Sequence, residues 1–143
     1  MELVYRKLKQ EARVPTHGSA YAAGYDLYAC IDNPAVIPAH GTVSVGTGLA
    51  FEIPEGWFAA IFARSGMAFK RGLRPANCVG VCDSDYRGEY IVALHNDSEE
   101  KRVVEPGERI AQMVLLPCVE LSFKEAVTLS ETDRGAGGFG STG

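Results

Sequence analysis

Asn77-Cys-Val-Gly-Val-Cys-Asp-Ser-Asp-Tyr-Arg-Gly-Glu-Tyr-Ile-Val-Ala-Leu-His-Asn96 sets two apolar runs around a polar centre. Val, Ile and Tyr favour strands, whereas Asp, Ser and Gly favour turns. The pattern therefore predicts a β-hairpin: a run at Cys78–Cys82, a turn at Asp83–Gly88 and a return run at Tyr90–Leu94. Its tip gathers two carboxylates, an aromatic ring and an Arg, with a glycine at the base where another group can approach the backbone. Such a tip is either a plain solvated turn or a site offering a base, a flat surface for a ring and free main-chain donors and acceptors. Spacing alone leaves both readings open.

The remainder of the chain bounds what this hairpin belongs to. With 143 residues, 46% hydrophobic and 22% charged, the sequence suits one domain with a real core. Sixteen Gly and seven Pro divide it into short segments, without tandem repeats. No apolar run reaches bilayer length, and the charged start Met1–Lys7 lacks a signal-peptide core; both point to a cytoplasmic chain, or a nuclear one in a eukaryotic or viral setting. A net charge of −4 argues against general nucleic-acid binding. The four Cys form no CxxC pair and no zinc-finger spacing, so Cys78 and Cys82 read as small buried hydrophobes.

Taken in order, Leu3–Leu8 is strand-like and a polar loop follows. Ala23–Cys30 is a turn into a short strand, with Asp26 placed to close the turn through backbone N–H groups. Asn33–Pro38 reads as loop and edge strand, Thr42–Phe51 as a strand interrupted by Gly, and Trp57–Ala63 as another strand. Short strands at turn-marked spacing imply a sandwich or barrel of the jelly-roll kind. Arg109–Leu116 is an apolar strand carrying one amide, Gln112, which needs a partner if buried. Cys118–Val127 alternates and reads as a last strand.

Two stretches break this rhythm. In Ala63–Gly72, Ser65 reads as an N-cap and Gly72 as the stop of a short helix. Free N–H groups at its start, with Arg64, Lys70 and Arg71 nearby, make either an anion site or a solvated basic helix. The terminal Ser130–Gly143 has the composition of a flexible tail. Arg134 and Phe139 are unusual in such a tail, and Gly-rich backbone with hydroxyls can wrap phosphate oxygens.

Five ordered segments together resemble the motifs of the trimeric dUTPase family. They are Ala23–Leu27, Arg64–Gly72, Gly80–Glu89, Arg109–Met113 and Arg134–Gly143. The resemblance spans almost the whole chain and departs only at Cys82, where an aliphatic residue is usual, and at Arg71, often His or Asn. It implies an all-β fold, a distorted jelly-roll or β-clip barrel with one short helix, over residues 1–129. Residues 130–143 would be a flexible arm closing over an active site. It further implies a homotrimer with active sites shared between subunits, and hydrolysis of dUTP to dUMP and pyrophosphate with Mg2+ on the triphosphate. Such an activity keeps uracil out of DNA and supplies the precursor of dTMP.

The same resemblance implies roles residue by residue. Asp83 matches the residue that positions and deprotonates the attacking water. An aspartate of ordinary pKa, about 3.9, is ionised at neutral pH but weakly basic, so orientation and charge neutralisation carry most of the rate. Asn77, Gly80, Val81, Cys82 and Ile91 match the wall that reads uracil through main-chain groups. Tyr86 lies against the deoxyribose and denies room to a 2′-hydroxyl, while Asp85 is a structural partner, as in a pair with Arg. Arg64, Ser65, Gly66 and Gln112 match phosphate ligands. Arg134 would contact the γ-phosphate, Phe139 would stack over uracil, and Gly140, Ser141 and Thr142 would hold phosphate oxygens. Asp26 would touch a Mg2+-bound water.

Two other activities fit parts of the pattern. A dCTP deaminase shares the fold but needs a Glu on the return strand, and Tyr90–Asn96 contains none. A non-catalytic nucleotide sensor would keep the motifs and act through a partner; an intact Asp83 and an intact tail favour the enzyme.

Overall fold

The computed structural model describes residues 1–138. Its elements run β1 (Val4–Lys7), β2 (Thr16–His17), β3 (Tyr25–Tyr28), β4 (Ala35–Ile37), β5 (Thr42–Gly46), β6 (Leu49–Glu52), β7 (Trp57–Phe62) and α1 (Ser65–Arg71). They continue with β8 (Leu73–Pro75), β9 (Val79–Cys82), β10 (Ile91–Asn96), β11 (Arg102–Val104) and β12 (Arg109–Pro117). The result is the expected all-β architecture with a single short helix among the described residues.

The strands form a five-stranded sheet in the order β2-β3-β12-β7-β9, a three-stranded sheet β5-β10-β8, and the pairs β1-β6 and β4-β11. Every pairing is antiparallel. Alternation decides which face is inside: in β10, Val92, Leu94 and Asn96 are buried while Ile91 is exposed. Leu27, Ile37, Val45, Leu49, Leu73, Leu94, Val104 and Ile110 meet in one core. Fully burying a side chain of this size contributes about 1.5–3 kcal/mol. Asn96 is one of three buried polar residues among the described residues, with Asp26 and Thr47, and its amide is satisfied by the carbonyls of Ile37, Pro38 and Glu100 at 2.7–3.2 Å.

Four sequence expectations need correction. The hairpin does not close as a ladder: β9 pairs with β7, and β10 pairs with β5 and β8, so the two runs enter different sheets. The predicted strand Thr42–Phe51 splits at Thr47-Gly48, because Gly48 adopts φ +66° and turns the chain from one sheet into another. Ser65 is not the cap of α1; Arg64 holds that position in extended conformation without a side-chain cap, while Gly72 ends the helix in the left-handed region as expected. Finally, Cys118–Val127 forms no strand among the described residues. Val119, Leu121 and Phe123 stand exposed there.

Gly48 is also crowded: a Cβ built there would lie 2.8 Å from the Cys30 sulfur and 2.9 Å from the Ala12 methyl carbon. Gly48→Ala adds left-handed strain to this clash and should lower stability by about 2–4 kcal/mol, read as a lower urea midpoint at unchanged slope.

Candidate functional site

Because β9 and β10 separate into two sheets, a cleft of about 260 Å3 opens between them, lined by Asn77, Val81, Cys82, Asp83, Tyr86, Glu89, Tyr90 and Ile91. β9 is the outer strand of its sheet, and β8 covers only Leu94–Asn96 of β10. Main-chain groups of β9 on the cleft side therefore lack a ladder partner among the described residues. The failure of the hairpin to zip is what leaves donors and acceptors for a ligand. Asn77, Val81, Cys82, Asp83, Tyr86 and Ile91, all expected in the site, do gather here, and Gly80 lies behind them on β9. A Cβ at Gly80 would sit 3.2 Å from Ile61 Cβ and 3.5 Å from Asn77 Nδ2, so its bare backbone brings β9 close to β7.

The connection between the strands is fixed by its own bonds. Tyr86 N–H donates to the Asp83 carbonyl at 3.2 Å, and the Tyr86 hydroxyl donates to the Glu89 carbonyl at 3.0 Å. Gly88 is required below the Tyr86 ring, which would overlap any Cβ there. Arg87 donates to the carbonyls of Ser84 at 2.6 Å and Tyr86 at 3.2 Å. Asp85 forms no ion pair among the described residues, so the expected Arg pairing is absent; Arg87 satisfies turn carbonyls instead. Asp83 is exposed, and its carboxylate has no side-chain partner among the described residues, which leaves it open to water and ligand.

Glu89 and Tyr90 were missed as site residues. Glu89 Oε1 accepts the Gly48 N–H at 2.8 Å and would lie 2.5 Å from a Cβ at Gly46, so two glycines admit the carboxylate that anchors the loop to the β5–β6 corner. The glycines of Thr42–Phe51 were the available signal. Tyr90 is only 2% exposed, and the weakly hydrogen-bonding Cys82 thiol is what stands beside its hydroxyl. Burial pushes that phenol far above its ordinary pKa, and burial likewise pushes up the neighbouring Cys82 thiol. Cys78 is also corrected: it is exposed and adopts φ +63°, shaping the turn before β9 instead of filling the core.

A second polar group assembles where α1 begins. Asp26, in β3 and 6% exposed, accepts from Arg64 Nε at 2.6 Å and pairs with an Arg109 nitrogen at 3.2 Å. Its expected part in closing a turn is thus replaced by ion pairing inside the sheet. Gln112 is paired in register with Asp26 and Phe62, and its Nε2 donates to the Ala63 carbonyl at 2.9 Å. The amide of the apolar strand has found its partner next to Arg64. Gly24 makes room, since a Cβ there would stand 2.5 Å from Gln112 Oε1. Ser65 and Gly66 are exposed at the helix start. Arg71, considered with the basic end of the helix, is instead bonded to Glu108 and the Val103 carbonyl, tying α1 to the turn before β12.

The two groups share no hydrogen bond or ion pair among the described residues. Neither collects three His, Cys, Asp or Glu side chains for a metal cage, again among the described residues. Arg134 is exposed and folds locally, with Nε donating to the Gly137 carbonyl at 2.7 Å. Phe139, Gly140, Ser141 and Thr142 lie outside the described residues.

A family model described as dUTPase matches residues 10–143. A deoxyuridine 5'-triphosphate nucleotidohydrolase from Hydrogenobaculum sp. (strain Y04AAS1) is 46% identical over 143 residues, covering 100% of this chain and 99% of the relative. The solved structure of a Staphylococcus bacteriophage 80alpha dUTPase variant with dUpNHpp aligns with TM-score 0.87 at 26% identity, over 99% of this chain and 98% of that one. A variant dUTPase from phage phi11 of S. aureus, described with a structural Mg(II) ion, shares the fold at TM-score 0.82 and 21% identity, over 92% of this chain and 100% of its own.

Removing the shared carboxylate should expose how much the second group depends on it. Asp26→Ala strands two guanidinium groups, one half-exposed and partly screened, and should cost about 1–3 kcal/mol of stability by chemical denaturation. Arg64→Ala in the same background should add little further loss, the non-additivity expected of partners in one network.

Proposed function

The chain belongs to the dUTPase family, and from that premise we propose that it hydrolyses dUTP to dUMP and pyrophosphate by in-line attack of water on the α-phosphate. The observation that carries this reading is the cleft between β9 and β10, where Asp83 directly follows a strand with unladdered main-chain groups and Tyr86 closes one side. Main-chain donor and acceptor groups of Gly80–Cys82 would meet uracil O4 and N3–H, with Asn77 and Ile91 completing the wall. Cytosine presents the opposite pattern. Tyr86, held by its bond to the Glu89 carbonyl, would pack on the deoxyribose where a 2′-hydroxyl has no room. An apolar wall alone rejects an added hydroxyl only about a hundredfold, so the fixed ring supports a steric contribution.

Asp83 would orient the water and accept its proton. Its exposed carboxylate supports this role, and a productive pose would place the water within one hydrogen bond of it. Arg64, Ser65, Gly66 and Gln112 would bind the phosphates, with Arg64 already oriented by Asp26 and Gln112 by the Ala63 carbonyl. Arg134 would leave its local turn to reach the γ-phosphate, and the proposed ligands Phe139, Gly140, Ser141 and Thr142 would follow it over the base and phosphates. The described residues fit a Mg2+ ion carried by the substrate phosphates better than one caged by side chains. Bound there, the ion would neutralise phosphate charge. Lone pairs of Asp26 left by its two arginines would accept from a water of that ion.

The base cleft shares no lining residue and no hydrogen bond or ion pair with the phosphate group among the described residues, which supports a site shared between subunits of a homotrimer. Exposed apolar side chains at Val119, Leu121 and Phe123, 81%, 69% and 93% accessible, support the same reading, since another copy would cover them. The parent test is pyrophosphate release from dUTP, dCTP, dTTP and UTP measured side by side; comparable rates with all four would overturn the assignment.

Asp83→Asn should retain nucleotide binding while kcat falls at least about a hundredfold; near-normal turnover would move the base elsewhere. Mixing Asp83→Asn chains with Arg64→Ala chains should restore part of the activity that each lacks alone. No restoration after verified subunit exchange would place both residues in one chain's site.

A further inference from the structure

The two walls of the base cleft are anchored to different parts of the fold, and one side chain spans the space behind them. Cys82 belongs to β9, which is held by β7 in the register Ala59↔Cys82. Tyr90 is held by the β5–β6 corner: its N–H donates to the Leu49 carbonyl at 2.8 Å, and its carbonyl accepts from Thr47 N at 3.1 Å and Thr47 Oγ1 at 2.7 Å. No ladder joins β9 to β10. The Tyr90 ring lies 4.7 Å from Phe51 and 6.1 Å from Tyr86, between centroids, and its hydroxyl sits beside the Cys82 thiol.

A hydroxyl buried against a thiol, a weak hydrogen-bond partner, is a cost that Phe would avoid. The small thiol opposite it leaves the phenol the length it needs to reach β9 from the corner. The ring also backs Tyr86, whose hydroxyl is bonded to the residue just before Tyr90. The Cys82 wall and the Tyr86 ring therefore both abut the same rigid side chain.

We propose that Tyr90 is a positioning residue that acts as the spacer of the base cleft, setting its width through Cys82 and Tyr86 and so determining the preference for uracil over thymine. The proposal rests on the nucleotide reading of this cleft given above. One methyl group is the whole difference between the two bases. A pocket that discriminates on one methylene-sized group yields factors of about 10–200, so a displacement of the wall by less than an atom's width is enough to lose them.

The test compares dissociation constants for dUMP and dTMP by calorimetry, alongside kcat/KM for dUTP and dTTP, in the full-length protein. The native chain should favour the uracil nucleotide in both. Tyr90→Phe, one atom shorter, should reduce the preference a few-fold, and Tyr90→Leu should reduce it at least about tenfold while dUMP binding persists. Adding Cys82→Ile to Tyr90→Leu refills the space from the other side and should recover most of the preference. Should Tyr90→Leu fail to fold, Tyr90→Met keeps more of the length and carries the same comparison. A preference unchanged in the Leu or Met variant, or one not recovered by Cys82→Ile, overturns the spacer. A native chain that binds dUMP over dTMP but releases no pyrophosphate from dUTP would sink the hydrolase reading, while the same graded loss in binding would still support the spacer.

Discussion

The arrangement depends on one buried carboxylate. Asp26 sits inside a sheet strand, nearly inaccessible, with Arg64 on one oxygen and Arg109 on the other. A charge in that position is tolerable only when paired, so the start of α1 and the start of β12 are both drawn to β3. Arg109 opens the strand that runs between β3 and β7 in the central sheet. Arg64 is the last extended residue before the helix. The pairing thus fixes where the helix leaves the sheet, and with it the exposed amides of Ser65 and Gly66.

A complementary economy governs the base cleft. Sheets satisfy backbone groups by pairing them, and a fully zipped hairpin at 78–94 would have left nothing for a ligand. Here the two runs are recruited by separate neighbours, β7 on one side and β5 with β8 on the other. The loop between them is held open by Glu89 on the Gly48 amide and by Tyr86 on the Glu89 carbonyl. Gly46 and Gly88 are where this design needs a missing side chain, since each faces a group that a methyl would displace. The cleft exists because local strand propensity was satisfied by distant partners.

Much of this was legible in the sequence. The strand-forming return run marked β10, the apolar run marked β12, and Gly72 marked the end of α1, because each is a local consequence of backbone geometry and side-chain burial. The amide of Gln112 stood out for the same reason: a polar group in an apolar strand must be bonded. The ordered motifs brought Asn77, Asp83, Tyr86 and Ile91 to one reading, and these residues do line one cleft.

What the chain could not declare locally was who pairs with whom. Arg71 read as free positive charge until Glu108 and the Val103 carbonyl were brought to it across 30 or more residues. Asp26 read as a turn residue, and Asp85 as the partner of an arginine; the ion pair formed at Asp26 instead, because sheet register set it between Arg64 and Arg109. Cys118–Val127 kept its strand-like alternation but found no edge in its own chain. Sequence sets the preference of each segment through nearest-neighbour sterics and burial, and so determined most of the strands and the short helix. Only the tertiary structure decided that β9 and β10 part, because a strand's partner is chosen by competition among all edges for the same backbone hydrogen bonds.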